Sequence, residues 1–531
     1  MKIYLYDTTL RDGCQGEGIS FSLEDKLKVA TKLDWLGIDY IEGGWPGSNP
    51  KDKEFFRRAR RQRWQGRLCA FGSTRRPNLA AEQDKNLRAI VEAGVPVATI
   101  VGKSWDFHVL TALETSLAEN LAMIRQSIAF LKGYGLEVVY DAEHFFDGYH
   151  ANADYALATV RAAAEAGADW VVLCDTNGGS LPHEVEEIVH QVKKVLPVRL
   201  GVHTHNDSAV AVANALAAVR AGVEQVQGTV NGLGERCGNA DLCAIIPNLQ
   251  LKMGHCCLSE EQLARLTEVS RYVNEIANLV PQANQPFVGQ GAFAHKAGVH
   301  VSAILKHDGT YEHISPEKVG NRRRVLVSEL AGTSNIVYKA RELGLDIEPS
   351  AEGRRLIELV KELEHKGYQY EGAEASLELL MRRALGLYRP AFVLETLQVL
   401  VEKRAQDLSV SVAVIKVRVG NQVVHTAAEG NGPVNALDNA LRKALESFYP
   451  VLKGMRLTDY KVRVLDEKDG TGAKVRVLIE SQDAEGSWST VGVSENIIEA
   501  SWQALVDSMD YALLKRQKTA AKDARVAGEE G

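Results

Sequence analysis

Residues 1–255 repeat one pattern eight times: a short apolar run, a polar turn that often carries glycine, and an amphipathic stretch of helical length. The runs are Ile3–Tyr6, Ile38–Ile41, Leu68–Phe71, Val97–Val101, Leu136–Tyr140, Trp170–Leu173, Leu200–Val202 and Val223–Val226. The stretches between them include 23–36, 78–93, 113–131, 151–166, 184–195 and 210–221, and four end on a glycine stop at Gly37, Gly94, Gly167 and Gly222. Strands that alternate with helices imply a parallel sheet, and eight such units in about 250 residues imply a closed (β/α)8 (TIM) barrel. A doubly wound open sheet competes, but its dinucleotide-binding forms open on a Gly-rich first turn. Here the glycines of Gly232-Leu233-Gly234-Glu235-Arg236-Cys237-Gly238 follow the eighth run and have the wrong spacing for a dinucleotide loop.

At 531 residues the chain has room for two to four domains. We read 1–258 as the barrel and 259–400 as a mostly helical linker and lid region. Residues 401–515 read as an α+β domain of regulatory or dimerising type, and 516–531 as a disordered tail. The α+β domain reads as two similar halves. Strands at Leu408–Val419 and 422–427 precede a helix at 434–448; strands near 460–465, 473–480 and 487–493 precede a helix at 495–514. A net charge of −7 over this length leaves no nucleic-acid footprint, and the cluster Arg57-Arg58-Ala59-Arg60-Arg61 reads as a solvated helix face. No apolar run approaches the ~20 residues of a membrane span, and the first strand leaves no room for a signal peptide. Seven cysteines without CxxC spacing fit reduced thiols and a cytoplasmic location better than a disulfide framework.

In a barrel, chemistry gathers where strands end. The seventh run ends in His203-Thr204-His205-Asn206-Asp207, and residues two apart on a strand face the same way, so both imidazoles can aim at one divalent cation. The first run ends in Asp7-Thr8-Thr9-Leu10-Arg11-Asp12-Gly13, which offers Asp12 as a third ligand. Closure makes strands one, seven and eight neighbours, and the loop after strand eight adds Asn239 as a fourth. Further polar residues stand at the ends of strand two (Glu42 to Pro46), strand five (Asp141 to His144) and strand six (Cys174 to Asn177). Beyond the barrel, Gly289 to His300 is Gly-rich, carries His295 and His300, and reads as a lid.

Asp-Thr-Thr-Leu-Arg-Asp-Gly-x-Gln at 7–15 and His-x-His-Asn-Asp at 203–207 resemble the acyl-CoA Claisen synthases of the isopropylmalate synthase family, which includes homocitrate synthase. The resemblance continues through Cys174-Asp175-Thr176, the glycine-rich 232–239 segment, His295 to His300, and Gly430 to Asn435 of a leucine-sensing type of domain. Gly16 to Phe21 and Glu42 to Asp52 resemble the pyruvate-accepting, citramalate-forming branch of that family. The resemblance implies condensation of acetyl-CoA with a 2-oxo acid, pyruvate in that branch, followed by thioester hydrolysis. It implies a divalent metal (Mn, Zn or Mg) on Asp12, His203, His205 and Asn239, with Arg11, Gln15 and Thr176 binding substrate. Arg11 would stabilise developing negative charge. Glu143 and His300 are both candidates for the proton-abstracting base, and Tyr311 would position the base or the water. One departure is Ser302, where isopropylmalate synthases carry an aspartate two residues after the lid histidine, so His300 lacks that partner. A homodimer with an amino-acid effector, isoleucine, completes the expectation; neither nucleic acid nor membrane is an expected partner. Other acceptors (2-oxoisovalerate or 2-oxoglutarate), a retro-Claisen lyase and a non-catalytic metal-binding regulator stand as alternatives.

Overall fold

A computed structural model describes the whole chain apart from residues 346, 348–350, 404–408, 466–471 and 530–531. Eight parallel strands close in chain order: β1 Tyr4–Asp7, β2 Tyr40–Gly44, β3 Arg67–Ser73, β4 Val97–Lys103, β5 Glu137–Glu143, β6 Trp170–Asp175, β7 Arg199–Thr204 and β8 Gln225–Gly228. Each of the eight apolar runs overlaps one of these strands. β8 pairs with β1 on one side and β7 on the other, so the expected adjacency of strands one, seven and eight holds. Ser22, Asn49, Asp84 and Ser116 cap helix starts with their side chains, and Gly37, Gly94, Gly167 and Gly222, the glycine stops read from the sequence, all have left-handed backbone. Ser22 caps Leu23–Leu36 with a reciprocal Asp25 bond, and Gly37 ends it at φ 100°. Tyr6, Tyr40 and Trp170 fill the barrel interior in buried ring contacts, and Tyr4 packs against Tyr40 and Trp170.

The chain divides into two compact units, Met1–Phe293 with His313–Arg323, and Ala294–Glu312 with Arg324–Gly531. The barrel unit therefore also takes in the helices Glu260–Leu263 and Leu266–Ile276. In the second unit, two three-stranded antiparallel sheets each pack a long helix. Val393–Lys403, Ser409–Val419 and Gln422–Gly430 pack Pro433–Leu445; Arg456–Val464, Val475–Asp483 and Gly486–Ser494 pack the final helix. The strand Val393–Lys403 straddles the 400/401 boundary read from the sequence and pairs antiparallel with Ser409–Val419. Leu408, expected to open the next strand, lies outside the described residues.

The final helix runs Ile497–Glu529, past the 515/516 boundary read from the sequence. Among the described residues no helix is long and apolar enough to cross a membrane.

Candidate active site and metal centre

All eight strand ends or the loops after them contribute to one cavity of about 240 Å³, lined by Arg11, Asp12, Gln15, Trp45, Phe71, Val101, Asp141, Glu143, Cys174, Thr176, His203, His205, Glu235 and Arg236. At its base, Asp12, His203 and His205 are buried and offer ligand atoms that all lie within 4.8 Å of one another. His203 Nε2 is 3.2 Å from Asp12 Oδ2 and 3.1 Å from His205 Nε2; Asp12 Oδ2 is 4.0 Å from His205 Nε2. Burial pushes the Asp12 carboxyl up, but Arg11 and the two imidazoles overcome it and hold the group well below the usual carboxylate range. Burial, then the neighbouring His203, hold the His205 imidazole down to about 3. An ionised carboxylate beside a neutral imidazole is the donor set a divalent cation needs.

Asn239 supplies the test of fit. It is buried and stands opposite His205 in an isolated antiparallel bridge. Its Nδ2 donates to the Leu233 carbonyl at 3.0 Å, while its Oδ1 finds no hydrogen-bond partner among the described residues. A buried amide oxygen without a partner is costly and marks a place where a ligand, water or ion belongs. Gly234 makes room for that amide: at φ 155°, a Cβ there would come within 2.2 Å of Asn239 Nδ2. The residues present thus fit a divalent cation.

Arg11 is locked from three sides. Its Nε donates to Glu42 Oε2 at 2.8 Å, its Nη1 pairs with Asp12 Oδ2 at 3.1 Å, and its guanidinium lies 3.9 Å from the Phe71 ring centroid. Burial disfavours the charge, but Glu42 and Asp12 outweigh that and keep the group cationic. Glu42 is fully buried and also accepts from Tyr6 Oη at 3.1 Å. Phe71 meets Trp45 edge to face with centroids 5.4 Å apart. Trp45 is pinned in turn: its indole donates to Asn86, and its backbone N–H donates to Asp52, the buried partner of Lys26.

On the opposite wall, Glu143 forms an ion pair with Lys103. Thr176 Oγ1 accepts from the His144 backbone N–H at 2.9 Å, which leaves its hydroxyl proton to be donated elsewhere. His144 holds this turn at φ 54° with Nδ1 3.0 Å from Asp147. Arg236 bridges the Thr176 carbonyl, Asp207 and His205 Nδ1. Cys14 donates to the Leu10 carbonyl, and burial pushes its thiol up to about 11, so it is a packed thiol rather than a reactive one.

Of the residues singled out from sequence, Arg11, Asp12, Gln15, Glu143, Thr176, His203 and His205 line this one cavity, and Asn239 adjoins His205. His300 and Tyr311 belong to the second unit, where their rings stack with centroids 4.1 Å apart. Ser302 shares the helix Gly298–Ile304 with His300, and the segment's other histidine, His295, pairs with buried Glu312 at 3.1 Å. Sequence reasoning missed Phe71, Lys103, Gln227 and the role of Arg236. The one available signal was in β8, where Gln225 and Gln227 interrupt an otherwise apolar strand in a barrel interior.

A family model described as HMGL-like matches residues 2–273, one described as homocitrate synthase post-HMGL domain-like matches 287–368, and one described as the LeuA allosteric (dimerisation) domain matches 371–513. The chain is 56% identical over 521 residues to the (R)-citramalate synthase of Aquifex aeolicus, covering 97% of this chain and 99% of that one. It is 57% identical over 519 residues to the (R)-citramalate synthase of Geobacter sulfurreducens, with 97% and 98% covered. Against the 2-isopropylmalate synthase of Methanocaldococcus jannaschii the identity is 31% over 520 residues, with 97% and 96% covered.

Proposed function

The chain belongs to the HMGL-like enzymes, in the branch of the (R)-citramalate synthases, and on that premise we propose that it condenses acetyl-CoA with pyruvate and water to give (R)-citramalate and coenzyme A. The observation that carries the site assignment is the convergence of Asp12, His203 and His205 beside the locked Arg11, in a cavity sized for a small acid. These three residues, with Asn239 Oδ1, would hold a divalent metal of the Mn, Zn or Mg type. When bound, such an ion supplies Lewis-acid polarisation of a keto carbonyl.

The chain's own groups do the rest. Arg11, already cationic and unable to swing away, faces negative charge that develops on the keto oxygen as the new carbon–carbon bond forms. Thr176 donates its free hydroxyl proton to the acceptor carboxylate, with Gln15 beside it. Glu143 removes a methyl proton from acetyl-CoA, with Lys103 as its counter-ion. The resulting carbanion attacks the keto carbon, and the alkoxide so formed takes the proton back from Glu143; water then adds to the thioester carbonyl, the C–S bond breaks, and coenzyme A leaves as the thiol with a proton from that water. We assign this hydrolytic half to His300 and Tyr311, on the family resemblance and their mutual stacking. The condensation falls to the barrel, residues 1–258, and 259–400, which carries His300 and Tyr311, acts as linker and lid. Residues 401–515 would act as the dimerising domain that senses isoleucine, a reading supported by the LeuA-type match over 371–513.

Thiol release from acetyl-CoA, followed over a panel of 2-oxo acids with and without chelator, tests the reading. Pyruvate is expected to be the preferred acceptor, and chelator or His203→Ala to abolish both turnover and metal retention. Release with 2-oxoisovalerate alone would move the chain to the isopropylmalate branch, and full activity of His203→Ala would remove the metal assignment.

A further inference from the structure

Behind His203 the barrel interior holds a polar relay that the reaction leaves unused. His203 Nδ1 lies 2.9 Å from Gln227 Oε1, and Gln227 Nε2 donates to Asp141 Oδ1 at 3.0 Å. All three side chains are buried. His203 and Gln227 are register partners across the β7–β8 pairing, so backbone hydrogen bonding alone sets them side by side. An amide has a donor end and an acceptor end. With its donor end committed to Asp141, Gln227 can turn only its carbonyl oxygen to His203. A carbonyl at that distance requires a proton on Nδ1, and a neutral imidazole protonated there carries its lone pair on Nε2. Nε2 is the atom that converges with Asp12 and His205.

We propose that Gln227, oriented by Asp141, is a positioning residue that holds His203 in its Nδ1-protonated form and so sets the affinity of the site for a divalent cation. This rests on the reading of Asp12, His203 and His205 as metal ligands. Partners of a ligating histidine's outer nitrogen fix both ring orientation and tautomer, and losing one costs about 10–100-fold in metal affinity. A neutral amide suits this place for a second reason. The interior already buries the Asp141 and Glu42 carboxyls, and another acid facing Asp141 would repel it.

The test is Mn²⁺ titration of the full-length, metal-stripped enzyme by calorimetry, with the melting temperature of the stripped protein recorded for each variant. Gln227→Leu should bind Mn²⁺ about 10–100-fold more weakly than wild type, and saturating Mn²⁺ should restore most of its turnover. Gln227→Glu keeps an acceptor toward His203 but sets two carboxyl groups face to face, so it should also weaken binding. Adding Asp141→Asn to that variant returns an amide donor to the pair and should recover the affinity. Wild-type affinity in Gln227→Leu, even with a lowered melting temperature, would reduce Gln227 to a packing role and overturn the proposal. If Gln227→Leu does not fold, the Gln227→Glu pair decides, and no recovery with Asp141→Asn overturns it. A wild-type chain that binds no Mn²⁺ would instead overturn the metal-site reading on which the proposal stands.

Discussion

Phe71→Ala separates acceptor selection from catalysis. The Phe71 ring does two things at once: it closes one wall of the cavity and it lies under the Arg11 guanidinium, 3.9 Å from ring centroid to Cζ. Cation–π contacts are worth about 0.5–2 kcal/mol, with the upper end for desolvated pairs, and this Arg11 is largely buried. Loss of that contact alone should lower kcat/KM for pyruvate by roughly 2–30-fold. The space it opens acts in the other direction. 2-Oxoisovalerate carries an isopropyl group where pyruvate has a methyl, and each carbon that a pocket accepts or excludes is worth about 1–3 kcal/mol. The selectivity ratio should therefore move toward 2-oxoisovalerate by at least about 10-fold. The assay is initial-rate thiol release with each acid over a range of concentrations, with Phe71→Leu as an intermediate wall. If both acceptors fall by the same factor, Phe71 supports Arg11 without shaping the acceptor pocket, and the wall argument is refuted.

Lys26→Met should destabilise the barrel unit by about 3–5 kcal/mol, because it leaves the buried Asp52 without its counter-ion. The same change frees the Trp45 backbone contact and should raise the acceptor KM; calorimetry that shows an unchanged melting temperature would refute it. Asp510→Asn probes the second unit. Burial lifts the Asp510 carboxyl from 3.8 to about 6, despite the Tyr388 hydroxyl and the nearby Arg383. The folded state therefore holds the proton longer than the unfolded chain. Its stability contribution is complete below 3.8 and is lost as pH rises through about 6, a loss of roughly 3 kcal/mol. Removing the acid should flatten that part of the stability curve, and parallel curves for variant and wild type between pH 4 and 7 would refute the assignment.

Local rules made much of this molecule legible before any coordinates. Apolar runs of strand length, glycine stops at Gly37, Gly94 and Gly222, and caps such as Ser22 act within a few residues, so they show in the chain itself. The convergence of Asp12 with His203 and His205 was legible for a topological reason. Once eight units close, the ends of β1, β7 and β8 must meet. The strand Val393–Lys403 was not legible, because its partner strand rather than its own pattern makes it a strand.

The sequence by itself determined the barrel, the three metal-ligand candidates and the kinship with acyl-CoA Claisen synthases. Tertiary structure alone decided what stands behind and beside them. Phe71 lies against Arg11, Lys103 pairs with Glu143, Gln227 and Asp141 back His203, and Asn239 keeps a buried oxygen without a partner among the described residues. The reason is distance along the chain. Gln227 and Asp141 are 86 residues apart, and Arg11 follows β1 whereas Phe71 lies on β3. No local pattern links them; only the register of a closed sheet brings them within a hydrogen bond or a ring's width.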